Sequence, residues 1–227
     1  MTNTVRWALV GTGFISRQIA PDFERTENSR IVAVGSRSTE NASSFAGELG
    51  IERHYSDFTN LLADPEIDAV YLGTPTAVHS EQVMQGIKAG KHVLVEKPLA
   101  ATHSEALKVA AAAARRAVFV MEGMWMKSSP VYKALLGDIR NGAVGEVRSV
   151  RDSFGLPPLP RRTAPTGSSL QDRGIYSLTL CHDVFGPPIR IIAGGVIGED
   201  RLDAEVHATL EYDGGRFAHV AASRGLR

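Results

Sequence analysis

Ala8-Leu9-Val10-Gly11-Thr12-Gly13-Phe14-Ile15-Ser16 decides the fold: an apolar run breaks at a glycine turn and resumes with helical spacing. Val5 to Val10 reads as a buried strand and Phe14 to Phe23 as the helix after it. A turn in that place lets helix-terminal N–H groups meet a pyrophosphate. Taken alone, Gly11-x-Gly13-x-x-Ser16 is a weak motif, and an ordinary strand-to-helix turn is its plain alternative. Ser16 replaces the third glycine, yet it is small enough for close helix–strand packing. A second strand end sharpens the reading. His92-Val93-Leu94-Val95 runs into Glu96-Lys97-Pro98 and puts one ammonium at the carboxyl edge of what should be the same sheet. Open α/β sheets bind their ligands at that edge. A nucleotide site with a positioned lysine beside it reads as a dehydrogenase, although most lysines in loops are merely solvated.

Outward from these two points the first half alternates strands and helices. Strands are expected at Ile31 to Gly35, near His54-Tyr55, at Ala69 to Gly73, Val93 to Val95 and Val118 to Met121. Helices are expected at Thr39 to Leu49 with Ser38 as cap, Phe58 to Ala63, His79 to Ala89 before Gly90, and Ser104 to Arg116. This alternation builds a doubly wound parallel sheet. The pattern changes after Glu122, giving expected domains at 1–122 and 123–227. A helix is expected at Pro130 to Arg140 and another from about Ser169 to Phe185. Strands are expected at Glu146 to Phe154, Ile189 to Val196, Ala204 to Tyr212 and Arg216 to Ser223, the last two joined through Asp213-Gly214-Gly215. A Pro-rich loop covers Leu156 to Pro165. The fold class is therefore α/β, continuing into an α+β domain with an open, mostly antiparallel sheet.

Composition narrows the function classes. In 227 residues, 25 Lys plus Arg balance 25 Asp plus Glu, so no basic surface advertises nucleic acid or a membrane. Cys181 is the only cysteine, which excludes an internal disulfide and suits a reducing cytosol. The seven histidines lack metal-ligand spacing, and no metal is expected. No signal pattern or bilayer-length apolar run is present, so a cytoplasmic protein is expected.

Other residues carry candidate chemistry. After the second strand, Ser36 stands where an NAD-binding protein usually has a carboxylate, and Arg37 offers a planar fork to a 2′-phosphate. NADP is the expected cofactor. Asp172 and Tyr176, four apart, share a helix face. Tyr176 beside Lys97 becomes a general base. Ionising its phenol near neutral pH needs roughly 4 kcal/mol, about what an ammonium about 4 Å away supplies at an effective dielectric near 20. Without the lysine, Tyr176 reads as a core tyrosine. His79, after Gly73-Thr74-Pro75-Thr76, reads as structural or as a cofactor-edge residue. Cys181 and His182 read as packing, and Arg161-Arg162 as solvated.

Gly11-Thr12-Gly13-Phe14-Ile15-Ser16, Gly73-Thr74-Pro75 through His79, Glu96-Lys97-Pro98, Met121-Glu122-Gly123-Met124-Trp125 and Asp172-x-Gly174-x-Tyr176 together resemble the Gfo/Idh/MocA oxidoreductases. The closest branch looks like the dihydrodiol, xylose and glucose–fructose enzymes. The resemblance implies a Rossmann domain and a sheet domain that often mediates dimerisation. It also implies NADP along the first domain, touching Gly11, Thr12, Gly13, Phe14, Ile15, Ser36, Arg37, Thr74, Pro75, His79, Glu96 and Lys97. Lys97, Tyr176 and Asp172 are the implied catalytic residues; Trp125, Phe154 and Tyr176 are the implied substrate contacts. Inositol-type members carry histidine where Tyr176 stands, which argues against polyol dehydrogenation on their pattern; a sugar hemiacetal or a cyclic vicinal diol is the expected substrate. Family members continue beyond position 227, so a missing C-terminal part and an association-prone edge after Arg216 to Ser223 are expected. A non-catalytic NADP-binding sensor or scaffold is the alternative from another class.

Overall fold

Strands buried on both faces need long apolar runs, and the first sheet has them. Its order is β3-β2-β1-β4-β5-β6, all parallel, formed by β1 (Val5–Val10), β2 (Ser29–Gly35), β3 (Arg53–Tyr55), β4 (Ala69–Leu72), β5 (His92–Val95) and β6 (Val120–Glu122). Alternate residues of β1 serve opposite cores. Ala8 and Val10 join Val70, Leu72, Val93 and Val95 under Val83, Ile87 and Val109, while Leu9 joins Val34 and Tyr71 under Ala20, Phe23 and Phe45. The covering helices are α1 (Phe14–Glu24), α2 (Thr39–Glu48), α3 (Phe58–Ala63), α4 (His79–Lys88) and α5 (His103–Arg116). Their starts follow capping chemistry: Ser38 accepts from the Asn41 N–H, Asp57 from the Asn60 N–H, and Thr102 with Glu105 closes a reciprocal capping box.

The structure describes residues 4–155 and 167–225. The expected Pro-rich loop and Arg161-Arg162 lie outside them. The chain divides into two units, Met1–Gly123 and Met124–Arg227. In the second unit, α6 (Pro130–Arg140) precedes β7 (Ser149–Gly155), then α7 (Ile175–Phe185), β8 (Arg190–Ile197), β9 (Asp203–Tyr212) and β10 (Arg216–Ser223). The sheet order is β7-β10-β9-β8, with β9 antiparallel to both neighbours and β7 parallel to β10. Cys181 and Leu178 of α7 pack on Leu210, Tyr212, Ala218 and Val220, so one face is covered. Cys181 is buried as expected.

Three expectations need correction here. The strand Arg216 to Ser223 is not an edge: it lies between β9 and β7, and among the described residues the edge strands are β7 and β8. The expected single helix from Ser169 begins as a π turn, Leu170–Gly174. Asp203 fixes its start by accepting from the Ser169 hydroxyl at 2.6 Å and the Leu170 N–H at 2.8 Å. A Cβ at Gly174 would stand 2.9 Å from Leu170 Cδ1 and 3.3 Å from Ala222 Cβ, so a larger residue there would have to displace the Leu170 side chain where that turn meets β10. Finally, His182 is exposed, because α7 turns its Cys181 face to the sheet and leaves the next residue in solvent.

Candidate active site

The strand order makes the neighbouring carboxyl ends of β1 and β4 the place where the winding reverses. Four segments with candidate chemistry lie at the carboxyl ends of this sheet: Gly11 to Gly13 after β1, Ser36-Arg37 after β2, Gly73 to Pro75 after β4 and Glu96 to Pro98 after β5. The glycine turn is built for close approach. Gly11 has φ +97°, and a Cβ there would lie 2.7 Å from the Gly73 carbonyl oxygen. Its N–H donates to Gly35 O while the Gly73 N–H donates to Val10 O, both at 2.9 Å. A Cβ on Gly73 would strike the Ser16 hydroxyl, which explains why both positions stay small. Gly13 caps α1 without a side-chain cap bond. No acidic residue stands in the first turn, and a Cβ at Gly13 would meet nothing within 4 Å. That cradle fits a dinucleotide pyrophosphate, held by backbone N–H groups at a helix terminus.

The loops after β4 and β5 are tied together. His79, 1 % exposed, places Nδ1 2.8 Å from Pro98 O and Nε2 2.8 Å from Thr74 O. Thr74 donates its hydroxyl to Gln82 Oε1 at 2.6 Å. The Tyr71 hydroxyl, on a fully buried ring, donates to Glu96 Oε1 at 2.9 Å. Burial first, and the Glu96 carboxylate second, push the Tyr71 phenol far above its ordinary range. The Leu99 N–H donates to Glu122 Oε1 at 2.7 Å. Lys97 is half-buried between these anchors, and the Lys97–Pro98 peptide is cis. At the end of β2, Arg37 is exposed and the Ser38 N–H donates to the Ser36 hydroxyl oxygen at 3.4 Å.

In the second unit the three implied substrate residues form one cluster. Trp125 Nε1 donates to the Tyr176 hydroxyl oxygen at 3.0 Å, with ring centroids 5.9 Å apart. Phe154 meets Tyr176 edge-on at 5.5 Å. Trp125 remains 66 % exposed, so the cluster keeps an open aromatic face. Ser177 donates a short hydrogen bond to Asp152, joining α7 to β7 beside Phe154. Asp172 lies in the π turn, with Oδ2 3.5 Å from Arg173 Nη1. Residues spaced i, i+4 across a π turn are offset from a straight helical stripe, so Asp172 and Tyr176 share a face less closely than α spacing implies.

Sequence reading missed Asp183. It accepts from Lys127 Nζ at 2.8 Å and from the Tyr132 hydroxyl at 2.9 Å, pinning the 3₁₀ turn Trp125–Ser128 and α6 to α7. The partners are 51 and 56 residues away, and no local pattern in the sequence pointed to them. Burial pushes the Asp183 carboxyl up, but the bonds from Lys127 and Tyr132 outweigh it and hold it below the usual carboxylate range. Its stabilisation is therefore complete at neutral pH and fades as pH falls through the carboxylate range. Asp183→Ala should cost about 1–3 kcal/mol, mostly by orphaning the Tyr132 hydroxyl, since the exposed ion pair contributes little. Urea unfolding at neutral pH measures this, and the gap between Asp183→Ala and the unmodified chain should narrow near pH 3.

Among the described residues no helix is long and apolar enough to cross a membrane, and no three His, Cys, Asp or Glu side chains gather as metal ligands. Comparison with known proteins places this architecture. Residues 5–124 match an oxidoreductase family with an NAD-binding Rossmann fold, GFO_IDH_MocA, and residues 132–227 match the GFO/IDH/MocA C-terminal domain. Trans-1,2-dihydrobenzene-1,2-diol dehydrogenase of Xenopus laevis is 32% identical over 96% of this chain and 68% of its own length. The Homo sapiens enzyme of that name is 34% identical over 92% and 65%. KijD10, a 3-ketoreductase from Actinomadura kijaniata solved with NADP and TDP-benzene, superposes with a TM-score of 0.91 at 26% identity, over 99% of this chain and 71% of its own. The chain thus spans about two thirds of the length of these curated relatives. With both halves matched, this chain belongs to the Gfo/Idh/MocA oxidoreductase family.

Proposed function

We propose that this chain is an NADP-dependent dehydrogenase moving a hydride between the nicotinamide and a sugar hemiacetal or cyclic vicinal diol. One observation carries the reading most: the glycine turn, the Thr74-Pro75 loop and Lys97 share the carboxyl edge of one sheet, at and beside its switch point. When bound, NADP supplies the hydride acceptor. Gly11 to Ile15 hold its pyrophosphate, and Thr74, Pro75 and His79 shape the loop beside it. Glu96, locked by Tyr71, keeps Lys97 in place. In this reading Lys97 lends its charge to Tyr176, which takes the substrate hydroxyl proton through its oxygen. Asp172 orients the substrate, and Trp125 and Phe154 offer ring faces to a cyclic carbon skeleton, as the dihydrodiol relatives suggest. A scan of aldoses and trans-dihydrodiols for NADPH formation tests it; binding of NADP with no turnover on any of them would leave only a nucleotide-binding scaffold.

The cofactor preference rests on Ser36 and Arg37. With no carboxylate to repel a 2′-phosphate and a guanidinium free to fork onto it, NADP should bind at least tenfold better than NAD, about 1.4 kcal/mol. Arg37→Ala should close most of that gap by weakening NADP alone. Fluorescence titrations of both nucleotides measure it, and tighter NAD binding in the unmodified chain would refute it.

The same reading includes a homo-oligomer built on the second unit's sheet. Among the described residues only one face of that sheet carries a helix, and a groove of about 640 Å3 opens beside Arg151, His207 and His219. Light scattering against concentration tests it.

A further inference from the structure

His79 is 1 % exposed, and both of its ring nitrogens face backbone carbonyl oxygens. Nδ1 lies 2.8 Å from Pro98 O, and Nε2 lies 2.8 Å from Thr74 O. A carbonyl oxygen can only accept, so each contact is a hydrogen bond only when the nitrogen donates. A neutral imidazole has one N–H and one bare nitrogen. It serves one of these carbonyls and turns a lone pair on the other, leaving two acceptors in contact away from water. Turning the ring over gives no relief. Cδ2 and Cε1 would then replace the nitrogens, and both bonds would be lost. The exposed His92 shows the contrasting arrangement: its Nδ1 accepts from the Phe119 N–H at 3.0 Å and so carries no proton.

Two effects oppose a cation at this place. Burial disfavours the charged form, and His79 is the first residue of α4, at the positive end of the helix dipole. Against them, both distances fit charge-assisted bonds, which run about 2.7–2.9 Å and are roughly twice as strong as neutral ones. Nearby charge does not decide the matter. Glu81 and Lys88 on α4 balance, as do Glu96 and Lys97 after β5, which leaves Glu122, bonded to the Leu99 N–H, on the favourable side. The hydrogen bonds decide it, because no ring with a single proton satisfies both carbonyls. We infer that His79 carries a proton on each ring nitrogen at neutral pH and acts as a buried cationic clamp between two loops. It holds the Pro98 carbonyl, next to Lys97, against the Thr74 carbonyl of the loop proposed to shape the nucleotide site. His79 is thus a positioning residue, which makes the seat of the cofactor and the place of Lys97 one rigid piece. Its effect on turnover rests on the function proposed above; its protonation does not.

Two-dimensional ¹H–¹⁵N spectra of the histidine rings at pH 7, assigned through each side chain's own carbons, test the protonation directly. This measurement needs no variant and no substrate. Both ring nitrogens of His79 should carry a bonded proton, and both protons should exchange slowly because the ring is buried. One bonded proton and one bare nitrogen would overturn the clamp, whatever the chain does as an enzyme. The second measurement is kinetic. In His79→Gln the donors share one nitrogen and the amide oxygen only accepts, so the two loops are no longer both held. With the best substrate of the scan, kcat should fall about 10–100-fold, the cost of a misplaced catalytic group, while KM for that substrate moves less than about threefold. A lowered Tm with unchanged kcat in His79→Gln would leave the ring a packing element and overturn the positioning role. If no substrate in the scan turns over, the proposed function fails, and the ring spectra still decide the clamp.

Discussion

Tyr176→Phe should bind NADP within about twofold of the unmodified chain and lose about 10²–10⁴-fold in turnover, the usual contribution of a positioned acid–base group. The substitution keeps the ring that Phe154 meets edge-on and removes only the oxygen. It also leaves the Trp125 indole N–H without its acceptor, but Trp125 is exposed and water replaces the bond, so stability should shift by less than about 1 kcal/mol. Lys97→Met should cost at least as much turnover if, as proposed, its ammonium acts together with Tyr176. If the two act as a unit, the double variant should be no worse than the poorer single one. Initial rates with the best substrate of the scan, beside NADP titrations, separate chemistry from binding. Turnover in Tyr176→Phe near that of the unmodified chain would mean the proton leaves by another route.

Gly11→Ala should be the most damaging small change in the nucleotide cradle. Its φ of +97° disfavours any side chain, and the added carbon would stand 2.7 Å from a backbone oxygen that cannot rotate away. Strain of about 1–3 kcal/mol is expected from the conformation alone. Relief of the contact must push the β1 and β4 loops apart, where the pyrophosphate is expected. A net loss of about 2 kcal/mol lowers Tm by about 4–8 °C in a chain of this size. Gly13→Ala is the matched control: its φ of −80° suits alanine and nothing crowds the site, so only the poorer N-cap counts and Tm should fall by no more than about 2–4 °C. The new methyl still obstructs the phosphates, and NADP affinity should fall in both variants. Equal Tm losses in the two would show that Gly11 is not held by the Gly73 contact.

How far the sequence reveals this molecule depends on whether a feature is local. The inner parallel strands are legible because burial on both faces leaves apolar runs such as residues 7–10 and Ala69–Leu72. Gly11, Gly73 and Pro98 are legible because each punctuates a strand end. The place of β10 is not: its pairing with β7 joins segments more than sixty residues apart, and nothing in Arg216–Ser223 distinguishes an inner strand from an edge. The start of the π turn is bonded to Asp203, more than thirty residues on, and the Asp183 ties depend on residues in distant elements. The bridging of two loop carbonyls by His79 is likewise a tertiary fact, although its place after Thr74-Pro75 marked it as structural.

Trp125, Phe154 and Tyr176 contact one another wholly inside the second unit, while every group expected around the nucleotide belongs to the first. Heredity can therefore act on the two halves at different rates. The glycine turn, the β4 and β5 loops and their Tyr71 and His79 ties admit few replacements, because each is wedged against backbone or bonded on both sides. The aromatic cluster meets solvent on one side and tolerates exchange of ring size and polarity. Under the proposed function, a few substitutions near Trp125 and Phe154 in a duplicated copy of such a gene would change the substrate accepted while the nucleotide bound stays the same.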